Sequence, residues 1–178
     1  MRVFVLEYGQ DDPAKCTARK MVKFGLATNV SRKFHASDDI IVLNPFADKV
    51  LTAGDRGVKG LLAVDASWKQ AHEVFFKKRG GKHRRLPGLL AGNPTNYSML
   101  GMLSSVEAVA AALYILGEVE EAQRFLSLYK WGETFETLNR DPLEEYGNAK
   151  SAADIRSLES EFFPQLAQMR EKSLNWED

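Results

Sequence analysis

Residues 60–76 read GLLAVDASWKQAHEVFF, and the way this stretch divides settles the architecture. From Gly60 to Ser67 it is a short apolar run without helical spacing, and from Trp68 onward the polar and apolar residues recur as on a helix. Outward from it, RVFVLEY (2–8) and DIIVLN (39–44) read as further buried strands. Between them, GQDDPAKCTARKMVKFG (9–25) reads as a helix, with Asp12 as its cap, Pro13 in its first turn and its end near Gly25. RRLPGLLAG (84–92) reads as one more strand, irregular at Pro87, which cannot donate to a ladder. Strands alternating with helices specify an α/β protein with a mostly parallel sheet.

After GNPTNYSMLG (92–101) the texture changes. LSSVEAVAAALYILG (103–117) is a helix capped by Ser104 or Ser105, apolar on most sides and therefore buried, and stopped by Gly117. The stretches 118–132, 133–147 and 151–172 continue as helices, the last with Ser151 and Asp154 in a capping box. The expected organisation is an α/β part over 1–92 and an all-helical part over 93–178.

Charge follows the same division. The formal net charge is +0, yet up to residue 90 there are 17 Lys and Arg against 9 Asp and Glu, and from 91 onward 7 against 15. A basic first half and an acidic second half imply a polyanion bound by the first. The basic excess peaks in KKRGGKHRRLPGLLAGNPTNY (77–97), with six cations and a histidine in its first nine positions. A solvated loop is the alternative reading of that run.

Several functional classes are excluded or weakened. No apolar run is long enough to span a membrane and no leader peptide is apparent, so a cytoplasmic protein is expected. The single cysteine, Cys16, excludes an internal disulfide and multi-cysteine zinc sites. His35, His72 and His83 are not spaced as metal ligands, so no metal is expected, and neither a GxGxxG nor a GxxxxGK[ST] motif occurs.

What remains is a set of strand ends. In AVDASW (63–68) Asp65 and Trp68 fall at the carboxyl edge of the sheet, where open α/β folds bind ligands; equally, Asp65 or Ser67 caps the next helix while Trp68 packs inward. VLNPF (42–46) offers backbone groups at Leu43 and Pro45 to a planar heterocycle, and GNPTNYSMLG adds a third loop at the same edge. Three converging loops make a pocket.

These motifs, together with DDPAKCTARK (11–20), LSSVEA (103–108) and YKWGETFETLN (129–139), resemble in order and over nearly the whole chain the small-subunit rRNA aminocarboxypropyltransferases of archaea and eukaryotes. The resemblance implies a SPOUT-like parallel sheet with a deep trefoil knot, followed by an all-helical C-terminal part. It also implies S-adenosyl-L-methionine as donor and transfer of its 3-amino-3-carboxypropyl group to the N3 nitrogen of an N1-methylpseudouridine in small-subunit rRNA, with methylthioadenosine released. Carried over by residue, it places Thr17 at the amino-acid arm of the donor. Leu43, Pro45 and Leu86 fall at the adenine, Val64 and Asp65 at the ribose and arm, Trp68 beside the transferred group, and Ser105 closes the cleft. Gly101 stands where relatives often carry an aromatic, so only a backbone contact is implied there. Asp65 is the candidate to assist loss of the acceptor proton. The cations Lys15, Arg19, Lys20, Lys23, Arg32, Lys33, Lys77, Lys78, Arg79, Lys82, Arg84 and Arg85 would form a collar for RNA phosphates in ribosomal RNA or a pre-ribosomal particle. A monomer is implied. The competing readings are a SPOUT-type RNA methyltransferase, using the same cleft and donor, and a non-catalytic ribosome-assembly factor, needing only the basic half.

Overall fold

A computed structural model describes residues 1–9, 16–67, 71–75 and 79–166. Five strands, β1 (Arg2–Glu7), β2 (Thr28–Asn29), β3 (Ala36–Leu43), β4 (Gly60–Asp65) and β5 (Gly80–Arg84), form one sheet in the order β2-β1-β4-β3-β5, with every pairing parallel. Helix α1 (Thr17–Lys23) lies between β1 and β2, and α2 (Ala71–Phe75) between β4 and β5. The remaining helices, α3 (Ser105–Ile115), α4 (Val119–Leu126), α5 (Gly132–Asn148) and α6 (Ala152–Phe162), follow the last strand.

The inner strands β1, β3 and β4 are covered on both faces, as parallel strands are, and their alternate residues feed two clusters. Val3, Val5, Ile41, Leu43, Leu61 and Ala63 point to one face, where they meet Ala18 and Met21 of α1 and the apolar surface of α3. Leu6, Ile40, Val42, Leu62 and Val64 point to the other and meet Val74 of α2. Helix α3 is the hub of the larger cluster, since Val106, Val109, Ala110, Ala111, Ala112, Leu113 and Ile115 are all fully buried. Complete burial of a Val or Leu there contributes about 1.5–3 kcal/mol. Its start is fixed by a capping box: Ser104 Oγ accepts from Glu107 N–H, and Glu107 accepts from Ser104 N–H in return. Gly117 follows its end at φ 87°, a conformation that favours glycine. The same box, made by Ser151 and Asp154, opens α6 as expected.

Two expectations change. The apolar run 84–92 is not the last strand; that strand is the polar Gly80–Arg84, pairing with β3 from Ile41↔Lys82 to Leu43↔Arg84. Gly80 and Gly81 sit at φ 68° and 70°, and a Cβ on Gly80 would stand 2.3 Å from the Ala36 carbonyl oxygen, so glycine is required for this close approach to β3. The expected cap Asp12 and first-turn residue Pro13 lie outside the described residues; α1 opens at Thr17 with Cys16 as its cap.

Candidate active site

Three segments meet at the carboxyl edge of the sheet and enclose a cavity of about 420 Å³. The end of β3 and its turn supply Leu43, Asn44, Pro45 and Phe46; the end of β4 supplies Ala63, Val64 and Ala66. The third wall is the chain from Arg85 to Gly88 and from Leu100 to Ser105, closed from outside by Glu159 and Leu166. Of the positions singled out in the sequence, Leu43, Pro45, Val64, Leu86, Gly101 and Ser105 line this cavity. Gly101 has φ 77°, and a Cβ added there would meet no atom of the described residues within 4 Å, so this part of the wall is open.

Asp65 and Thr17 adjoin the cavity through α3. Ser105 Oγ donates to Asp65 Oδ1, Cys16 Sγ donates to Asp65 Oδ2 at 3.2 Å, and Val106 N–H donates to Thr17 Oγ1 at 3.3 Å. Cys16, Thr17, Asp65 and Ser105, far apart in sequence, thus form one polar group beside an apolar cavity. Burial pushes the Cys16 thiol up to about 11, with the Asp65 carboxylate and its hydrogen bond adding to the effect. Burial, followed by the charges of Cys16 and Asp65, pushes the Tyr129 phenol up to about 12. Trp68 lies outside the described residues.

The wall from Gly88 to Asn93 is held by side chains of the helical half. Gly88 N–H donates to Glu159 Oε1 at 3.0 Å, and Tyr146 Oη donates to the Gly88 carbonyl at 3.1 Å. Asn139 pairs with both backbone groups of Leu90, accepting from its N–H and donating to its carbonyl, each at 2.8 Å. Glu107 accepts from Gly92 N–H at 2.7 Å, Asn93 N–H at 3.0 Å and Asn93 Nδ2 at 2.8 Å. The sequence reading missed Glu159, Asn139 and Glu107. The one available signal was the spacing of Ser104 and Glu107, which marks a capping box but not what else its carboxylate holds.

The expected collar of cations divides. Lys23, Arg32, Lys33 and Lys82 are exposed, as is Arg19, which pairs with Glu7 at 2.9 Å. Others are committed elsewhere. Arg79 is 4 % exposed, with Nη2 donating to Tyr8 Oη and to the Val74 carbonyl, so its guanidinium is buried and engaged with protein. Arg84 pairs with Asp55 at 2.8 Å and Arg85 with Glu159 at 2.8 Å; both guanidiniums are largely covered. Lys20 donates to the Leu128 carbonyl and lies 4.1 Å over the Tyr129 ring, tying α1 to the helical half. Lys15, Lys77 and Lys78 lie outside the described residues.

With this geometry in hand, similarity to known proteins is decisive. A family profile described as "Ribosome biogenesis protein, C-terminal" matches residues 41–163. The chain is 43 % identical over 162 residues to the 16S rRNA aminocarboxypropyltransferase of Methanosarcina mazei, covering 90 % of this chain and 94 % of that protein. The chain belongs to the 16S rRNA aminocarboxypropyltransferase family. A second member, from Saccharolobus islandicus, is 43 % identical over 171 residues and covers 93 % of this chain and 98 % of its own. The solved structure of the SAM-dependent rRNA:acp-transferase Tsr3 from Vulcanisaeta distributa superposes with a TM-score of 0.81 at 44 % identity, over 90 % of this chain and 88 % of that one. The parallel sheet followed by a helical region is therefore the fold of the family. A further profile, described as a possible Fer4-like domain in RNase L inhibitor, matches residues 1–33. Iron–sulfur clusters are held by several cysteine thiolates, and this chain has one cysteine, so its residues do not fit such a cluster.

Proposed function

We propose that this chain transfers the 3-amino-3-carboxypropyl group of S-adenosyl-L-methionine to small-subunit rRNA, on the N3 nitrogen of an N1-methylpseudouridine. The observation that carries the reading is the convergence of two strand ends and the 86–105 segment on one cavity, in a chain that shares its fold and 44 % of its sequence with a SAM-dependent rRNA:acp-transferase.

The residues present fit the donor. Leu43, Ala63, Val64, Leu86 and Leu103 provide apolar walls for an adenosine body, and the turn at Pro45 and the loop at Gly101 bring backbone close to it. The Asp65 carboxylate, oriented by Ser105 and Cys16, suits an ammonium on the amino-acid arm; Thr17, at the start of α1 and against the start of α3, suits its carboxylate. When bound, the donor supplies a positively charged sulfur that activates the adjoining carbons. The chain selects among them by position: burying the methyl against apolar walls leaves the first carbon of the arm facing the acceptor, at about 3–3.5 Å for reaction. Transfer forms the nitrogen–carbon bond, breaks the carbon–sulfur bond and releases methylthioadenosine. The acceptor nitrogen gives up its proton, and Asp65 is the carboxylate at hand to assist. We include in the same reading a trefoil crossing built by the 86–105 segment, a monomeric enzyme, and domains dividing at residue 92.

For the RNA, Lys23, Lys33 and Lys82 are exposed cations among the described residues that can meet phosphates, joined by Arg32, which is exposed while its guanidinium lies 4.7 Å over the Tyr8 ring and donates to the Tyr8 carbonyl. Charge reversal at Arg32 and Lys33 is expected to weaken RNA binding and to flatten its dependence on salt by about one to two in log–log slope, read by filter binding at several salt concentrations. An unaltered slope would remove the pair from the interface.

The deciding experiment labels the donor either in its methyl or in its carboxypropyl carbon and follows which label enters small-subunit RNA. Carboxypropyl label in RNA is expected. Methyl label would establish the methyltransferase reading, and no label from either donor would favour an assembly factor.

A further inference from the structure

Asn44 follows β3 as the pivot of the turn that carries Leu43, Pro45 and Phe46 to the cavity wall. Its backbone is tied on both sides: Asn44 N–H donates to the Arg84 carbonyl at 2.9 Å, and the Asn44 carbonyl accepts from Ala47 N–H at 3.1 Å. The residue is buried, and its side chain has two further partners. Oδ1 accepts from Phe46 N–H at 2.9 Å, and Nδ2 lies 3.1 Å from His83 Nδ1 in β5. A backbone N–H can only donate, so the amide oxygen faces Phe46 and the amide N–H faces the histidine. His83 Nδ1 is therefore an acceptor, and the ring is neutral with its proton on Nε2. Its surroundings favour that form. Burial lowers the pKa of the ring; a hydrogen bond to the Gly80 backbone opposes this, and the Arg79 guanidinium adds to the lowering. Across the ladder its partner is the uncharged Val42, while Lys82 and Arg84, its neighbours in β5, alternate to the opposite face of the sheet.

A charged ring is incompatible with this arrangement. With a proton on Nδ1, two N–H donors confront each other. Turning the amide over would satisfy the ring but would set its N–H groups against Phe46 N–H, so one buried hydrogen bond is lost either way. We propose that His83, acting through Asn44, is a positioning residue for the donor: the neutral ring holds the 44–46 turn in the shape that receives S-adenosyl-L-methionine, and protonation of the ring weakens donor binding. This rests on the reading of the cavity as the donor site.

The test follows the His83 ring by NMR across pH, with and without S-adenosyl-L-methionine, and measures donor affinity by calorimetry for the unsubstituted chain, His83→Asn and His83→Ala. At neutral pH the ring is expected as the Nε2–H tautomer. Because the donor favours the neutral ring, bound donor is expected to move the midpoint of the ring's titration to lower pH. Donor affinity is expected to fall by about fivefold or more as the pH drops through that midpoint. His83→Asn, which sets a non-titrating acceptor oxygen near the place of Nδ1, is expected to bind the donor at neutral pH as the unsubstituted chain does and to show no such fall. His83→Ala, which has no acceptor, is expected to bind about fivefold or more weakly at every pH. A neutral ring with its proton on Nδ1, a midpoint indifferent to bound donor, or a fall in affinity that persists in His83→Asn overturns the proposal. None of these outcomes touches the donor-site reading, whereas failure of the unsubstituted chain to bind the donor at any pH defeats both.

Discussion

At the residue scale, one carboxylate organises the site. Asp65 accepts hydrogen bonds from Cys16 and Ser105 at the edge of a cavity suited to an alkylating donor, and burial together with that carboxylate keeps the neighbouring thiol protonated. Asp65→Asn removes the negative charge but not the burial, so the Cys16 pKa is expected to fall from about 11 toward its ordinary 9.0. The pH profile of iodoacetamide alkylation checks this, with its inflection moving to lower pH. Because the folded pKa is the higher one, the folded chain holds the proton longer than the unfolded chain. Stability contributed by this thiol is thus complete below about pH 9 and is lost as pH rises toward about 11. The position of Asp65 at a strand end was legible in AVDASW, because a charged residue closing an apolar run falls at the sheet edge. Its partners were not, since Cys16 and Ser105 are brought to it by tertiary packing. Arg79 shows the opposite failure: in a run of cations it reads as a phosphate ligand, but it folds inward onto Tyr8 and Val74. Arg79→Met is expected to lower stability by about 1–3 kcal/mol in urea unfolding while leaving the salt slope of RNA binding unchanged.

At the scale of elements, the stretch LPGLLAGN pairs in part with the chain at 98–101, where Gly101 N–H donates to the Leu89 carbonyl at 2.9 Å and Ala91 N–H to the Met99 carbonyl at 3.1 Å, and gives its other backbone groups to side chains. Its apolar content reads as β from sequence, but Glu159, Asn139 and Glu107 satisfy backbone groups that a neighbouring strand would otherwise take. Nothing local distinguishes these cases, because the partners lie as many as 71 positions away. The true last strand, GGKHR, escapes a hydrophobicity reading because its side chains are polar and its two glycines serve backbone approach. Helices were far more legible: in α3 and α6 the caps and the apolar spacing are written within one segment. Glu107 is fully buried and bonds four donors or more, so Glu107→Ala leaves several buried N–H groups without acceptors. A loss of about 3 kcal/mol or more is expected by chemical denaturation, with Glu107→Gln intermediate because it retains one acceptor oxygen.

At the scale of the whole molecule, the basic and acidic halves share one interior. The larger cluster runs from Val3 and Val5 in β1 to Tyr146 in α5 and Ile155 in α6. Bonds cross the same division: Arg85 with the buried Glu159, Arg56 Nη2 with the Gly147 carbonyl at 2.7 Å, and Lys20 with the Leu128 carbonyl. Thermal unfolding is accordingly expected as a single transition, with coincident loss of helical circular dichroism and tryptophan fluorescence. Two separated transitions would show that the halves melt independently. The charge asymmetry was plain in the sequence; its use of Arg84 and Arg85 as internal ties was not, because each finds its carboxylate only once the chain has closed. That closure has a consequence for biosynthesis. The cavity needs Leu43 from β3 together with Glu159 from α6 and Leu166 beyond it. A nascent polypeptide therefore has no complete cavity until residue 166 has been made, and products terminated before α6 would lack one of its walls.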